Sequence, residues 1–86
     1  MGIIGKLSGV DKMSEVRDRK LAQIESQFAS GRSEAAVLLT QEEIGTRFRM
    51  DTFSTFLCRE FEKAGYQVIG ATDPGWSYKM TITVIR

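Results

Sequence analysis

Apolar residues Leu21, Ile24 and Phe28 fall at i, i+3 and i+7, a single stripe on one face of a helix. Arg17, Asp18, Lys20, Gln23 and Gln27 occupy its wet side, so a helix is predicted over 15–30. Ser14 can cap it, because its hydroxyl can accept from an otherwise unpaired amide of the first turn. Gly31 can end it, being the residue that most easily takes a left-handed conformation. Ahead of it, residues 1–13 contain three glycines and no sustained period, and they read as a flexible arm.

The pattern then changes. Ala35-Ala36-Val37-Leu38-Leu39 is a short, bounded apolar run, which suits a buried strand better than a surface helix. Thr40 with Glu43 three residues on is the capping-box pattern and starts a second helix at Gln41. Ile44 and Phe48 give that helix an apolar i, i+4 pair. Phe53, Phe56, Leu57, Phe61 and Ala64 form another stripe, out of phase with Ile44 and Phe48. Two helices, 41–48 and 52–64, are therefore expected, the second capped by Asp51 and closed by Gly65.

The end of the chain carries the period of a sheet. Tyr66-Gln67-Val68-Ile69 is aromatic and β-branched, and Asp73-Pro74-Gly75 is turn chemistry. From Tyr78 onward, Tyr78, Met80, Ile82 and Val84 alternate with Lys79, Thr81 and Thr83, the signature of a half-buried strand. The expected fold is a small single α+β domain over 14–86, in the order α-β-α-α-β-β. Its three-stranded antiparallel sheet, from segments near 35–39, 66–72 and 77–86, has the helices packed on one face. The expected core is Leu21, Ile24, Phe28, Val37, Leu39, Ile44, Phe48, Phe56, Leu57, Phe61, Val68, Met80, Ile82 and Val84.

Composition narrows the chemistry. With 86 residues the chain forms one domain. It has no histidine and one cysteine, Cys58, so an internal disulfide, a Cys–His nucleophile pair and any His-containing zinc site are excluded. Cys58 follows Phe56-Leu57 and reads as a small packing residue in a reducing compartment. Glu42 and Glu43 are adjacent on a helix and point about 100° apart, which suits helix N-terminal charge and not a shared proton. No glycine-rich loop has phosphate-cradle spacing. A binding protein without cofactor or metal is the expectation, and an enzyme is not. No segment reaches the roughly 18 apolar residues of a membrane helix, and a cytoplasmic location follows.

The run Leu39-Thr40-Gln41-Glu42-Glu43-Ile44-Gly45, followed by Phe61-Glu62-Lys63-Ala64-Gly65, resembles winged helix-turn-helix DNA-binding domains over residues 36–86. The resemblance implies a helix-turn-helix at 41–64 and a β wing at 66–86. Thr52, Thr55 and Arg59 would then face the groove, and Arg47, Arg49 and Lys79 would contact phosphate. Arg49 stands where that family has a turn glycine. The layout over 15–86, with Gly65-Tyr66-Gln67-Val68 and Tyr78-Lys79-Met80-Thr81-Ile82, also resembles small accessory proteins of bacteriophages. That resemblance implies action by binding another macromolecule, in the host cytoplasm.

The two implications differ in partner. A net charge of +1 favours a protein partner over nucleic acid, since DNA binding draws on phosphate contacts. For a protein partner the candidate anchors are Trp76, beside the turn, with Ile69 and Ile85. An uncovered sheet edge would also allow a homodimer by strand pairing across a two-fold axis.

Overall fold

The computed structural model describes residues 9–72 and 79–86. The Asp73-Pro74-Gly75 turn, Trp76, Tyr78 and the first eight residues of the expected arm lie outside them. The elements run α1 (Gly9–Ala29), β1 (Glu34–Thr40), α2 (Gln41–Ile44), α3 (Met50–Lys63), β2 (Gln67–Thr72) and β3 (Lys79–Ile85). This is the expected α+β order. The strands form one antiparallel sheet in the order β1-β3-β2, so the last strand is central and both others are edges.

Register explains the burial. Ala35 pairs with Val84, Val37 with Ile82 and Leu39 with Met80, and Val68 pairs with Val84 from the other side. These inward residues meet the helices: Ala35, Val37, Leu39, Ile82 and Val84 are buried together with Val16, Ile24, Phe28, Ile44, Met50, Phe53, Leu57 and Phe61. The alternate residues of β1, Ala36 and Leu38, are exposed, and Leu38 keeps 46% of its surface. The helices therefore cover one face of the sheet and leave the other open. β1 is an edge strand buried on one side, not the fully buried strand its apolar run suggests.

Several boundaries differ from expectation for identifiable reasons. Helix α1 starts at Gly9, so Ser14 is not its cap and residues 9–13 of the expected arm are helical. Its buried row is Val16, Lys20, Ile24 and Phe28, an i+4 ladder, with Leu21 half-buried beside it. Lys20 thus belongs to the buried side and not the wet one, because its ammonium meets Glu43 at 2.8 Å. Phe53, absent from the expected core, is fully buried while Phe56 is half-buried, and the Phe53 ring meets those of Phe48 and Phe56 edge-on at 5.3 and 5.9 Å.

The capping box is present as read: the Glu43 amide donates to the Thr40 hydroxyl, and the Thr40 amide donates to the Glu43 carboxylate. Two helices follow, but α2 is a single turn. Gly45, at φ 83° and ψ 178°, ends it four residues before the expected boundary at 48. The side-chain amide of Gln41 then donates to the carbonyls of Gly45 (2.7 Å) and Phe48 (3.0 Å), which fixes the connection to α3. Helix α3 begins at Met50 with Arg49 as its N-cap, so Asp51 lies in the first turn and is not the cap. Gly65, at φ 100°, closes α3 as expected.

Candidate functional site

Helix α3 has three sides. Met50, Phe53, Ser54, Leu57 and Phe61 are buried against the sheet and α1. Phe56 and Glu60 lie toward α1, where the Arg17 guanidinium meets Glu60 at 3.2 Å. Thr52, Thr55, Arg59 and Lys63 are exposed. The space between this outer surface and the N-terminal part of α1 is an open groove of about 550 Å³, lined by Met13, Thr52, Thr55, Phe56, Arg59, Glu60 and Lys63.

Three of the residues expected to face a nucleic-acid groove, Thr52, Thr55 and Arg59, therefore share one concave surface. They do so because positions 52, 55, 59 and 63 repeat at helical spacing on α3. Arg47 and Arg49 do not line it. They lie on the turn before α3, both exposed, and Arg49 forms a bidentate pair with Asp51 at 3.3 Å to each oxygen. Lys79 is exposed at the start of β3, opposite Thr40, and is not part of the groove either. Met13, Phe56, Glu60 and Lys63 were not among the site residues expected from sequence, and Phe56 was expected in the core. Lys63 could have been found by carrying the Thr52–Arg59 face one turn further, whereas Met13 depends on the early start of α1.

The charges in and around the groove are not equivalent. Glu60 sits between Lys63 Nζ at 3.1 Å and Arg17 at 3.2 Å. The Lys63 hydrogen bond, and after it that of Arg17, holds the Glu60 carboxyl below the usual carboxylate range, so it is ionised and paired. Asp51 is held low chiefly by the Thr52 amide at 2.8 Å, with Arg49 adding to it. Among the described residues, Arg59 and Arg47 enter no ion pair. Arg59 is thus the groove cation whose charge is not already spent on a carboxylate. Thr55 is exposed, and its hydroxyl donates to the Asp51 carbonyl at 2.9 Å.

Cys58, on α3, is half-buried. Burial first, and the nearby Glu62 carboxylate second, push its thiol up from the ordinary value, the opposite of what a nucleophile needs. Among the described residues no three acidic or thiol side chains are grouped to hold a metal ion, and no helix is long and apolar enough to cross a membrane.

The anchors expected for a protein partner lie elsewhere. Ile69 is 48% exposed in β2, at a bulge between Val68 and Gly70. Ile85 is half-buried at the end of β3, between Glu34 and Gln67 in register. Trp76 lies outside the described residues. Comparison with known proteins identifies no relative: no family model, no curated protein and no solved structure matches the chain.

Proposed function

We propose that this chain binds duplex DNA, with the outer surface of α3 as its reading helix and the β2–β3 hairpin as a wing. The observation that carries the reading is the groove in which Thr52, Thr55 and Arg59 stand together on a helix followed directly by a two-stranded hairpin. Arginine and threonine are suited to base edges and phosphates. A guanidinium offers donors in a fixed fork, and a threonine offers a hydroxyl and a methyl group. The pairing of Glu60 with Arg17 and Lys63 supports the reading, since it quiets the carboxylate that would otherwise repel phosphate beside Arg59. Arg47, on the turn before α3, and Lys79, on the hairpin, are the phosphate contacts. With a net charge of +1 the affinity is local and modest, on the order of micromolar for generic duplex at low salt.

The test is fluorescence anisotropy of a labelled duplex at about 50 and 200 mM salt. Binding that weakens steeply with salt and falls roughly tenfold or more in Arg59→Glu is expected. No binding at the lower salt, or equal binding by the variant, would sink the reading.

A second reading, binding of a protein through the helix-free face of the sheet, is favoured by one observation. Leu38 and Ile69, 46% and 48% exposed, are the large apolar side chains left uncovered among the described residues, and both lie on edge strands. Failure of DNA binding together with a partner lost on Leu38→Lys would favour it.

A further inference from the structure

We propose that the chain forms a homodimer through the free edge of β2, which pairs antiparallel with β2 of a second copy. The inference rests on a difference between the two edges of the sheet and is independent of the DNA reading.

The β1 edge is partly occupied, at Ala36 and Thr40. The side-chain amide of Gln27 donates to the Ala36 carbonyl at 2.8 Å, and its oxygen accepts from the Ala36 amide at 3.0 Å. One side chain of α1 thereby takes the place of a neighbouring strand. Four residues further along the same side, the Thr40 amide donates to Glu43 at 2.9 Å. An incoming strand on β1 would have to displace both.

These bonds also fix which groups point outward on β2. If Ala36 faces the free edge of β1, then Ala35, Val37 and Leu39 are the residues that exchange bonds with Val84, Ile82 and Met80. On β3 the alternate residues Thr81, Thr83 and Ile85 must then bond to β2, through Thr72, Gly70 and Gln67. That leaves Val68 and Ala71 with amide and carbonyl groups on the free side. Among the described residues no side chain caps them.

The strand Gln67–Thr72 carries none of the devices that keep an edge from pairing by charge or ring: it has no lysine, no carboxylate and no proline. A two-fold copy therefore sets no like charge against itself. In the two-fold register that places Val68 opposite the partner's Ala71, Ile69 lies opposite the partner's Gly70. A Cβ built on Gly70 meets nothing within 4 Å, so there is room beside it for a neighbour's side chain. The bulge at Val68/Gly70 limits the paired stretch to these few residues. The dissociation constant expected of so small an interface is on the order of 10 μM.

Sedimentation equilibrium of the full chain without DNA, from about 5 to 200 μM, decides the matter, over a range chosen to bracket that constant. A monomer–dimer equilibrium is expected. Ala71→Pro removes only an amide that faces away from β3, so it should keep the fold and weaken dimerisation at least tenfold. Should that variant lose its circular-dichroism spectrum, Ile69→Lys decides instead, by bringing two ammonium groups toward the two-fold axis. Leu38→Lys, on the opposite edge, should dimerise as the wild type does. A wild-type monomer at the highest concentration overturns the proposal. So does a dimer that survives both β2 substitutions, or one that only Leu38→Lys abolishes.

Discussion

The ammonium of Lys20 stands 2.8 Å from Glu43 Oε1 and 3.0 Å from Oε2, and Lys20 is almost wholly buried. Glu43 is at the same time the residue that completes the capping box with Thr40. One carboxylate thus ties α1 to the junction of β1 and α2, and it is also reached by Arg19 at 3.3 Å. Removing one partner of a buried pair leaves the other charge uncompensated, which is the costly case. Glu43→Ala is expected to destabilise by about 3 kcal/mol, combining the stranded ammonium with a lost cap. Lys20→Met, which keeps an apolar stem in the i+4 row, should cost less, about 1 kcal/mol. Urea unfolding of both variants and of the double mutant tests this. Additive effects would mean that the two side chains are not coupled.

The same pair sets a pH dependence. Burial disfavours the charged form of Glu43, but the Lys20 ammonium and the Thr40 amide outweigh it and hold the carboxyl below the usual carboxylate range. A folded-state value below the unfolded one means that the unfolded chain binds protons first as pH falls. The stabilisation is therefore complete above the ordinary glutamate value, about 4.3, and is lost as pH falls through the lower folded one. Urea midpoints measured from pH 7 down to about 3 should fall more steeply for wild type than for Glu43→Gln. Parallel curves would show that Glu43 is not responsible.

Periodicity made the element order, the two-helix division of 41–64 and the capping box legible, because each rests on contacts within a few residues. Two of the misreadings share a cause: the deciding contact is distant in sequence. Lys20 reads as solvated until Glu43 is brought to it, and Gln27 reads as surface until Ala36 is. The row Val16-Lys20-Ile24-Phe28 was visible as an i+4 repeat, but only by allowing a lysine into an apolar ladder. Gly45 was a local signal, and the apolar pair Ile44/Phe48 masked it. Of the candidate site, Thr52, Thr55 and Arg59 came from the winged-helix resemblance, and their spacing on α3 puts them on one face. The wall that makes their surface concave was not legible, because Met13 belongs to the part of α1 that carries no clear period.

Gln27 illustrates how a wet-face residue can protect a sheet. Its two hydrogen bonds to Ala36 satisfy one outward amide and one outward carbonyl of the β1 edge. Gln27→Ala is expected to lower stability by about 1–2 kcal/mol, near the net value of two exposed hydrogen bonds. It should also raise the tendency to aggregate, since an unpaired edge is a template for another strand. Gln27→Glu is the sharper comparison. A carboxylate can still accept from the Ala36 amide but has nothing to donate to the carbonyl, so it should lie between wild type and alanine near neutral pH. Thermal melts with light scattering recorded in parallel would check both, and an alanine variant indistinguishable from wild type would remove Gln27 from the account.

Gly45 tests whether the turn before α3 is held by backbone geometry. Its φ of 83° with ψ near 178° is a region that residues with a side chain rarely enter. A Cβ built there meets nothing within 4 Å, so Gly45→Ala would suffer no clash and its cost would be conformational alone. About 1–3 kcal/mol is expected for that region. The alternative is that the turn relaxes into a helical conformation, extending α2 toward Phe48 and breaking the hold of Gln41 on the Gly45 and Phe48 carbonyls. Gln41→Ala separates the two cases. It should destabilise wild type by about 1 kcal/mol, and should do nothing further in Gly45→Ala if the turn has already rearranged. A Gly45→Ala variant as stable as wild type, with the Gln41 effect intact, would show that the turn tolerates a side chain and that its geometry is not what orients α3.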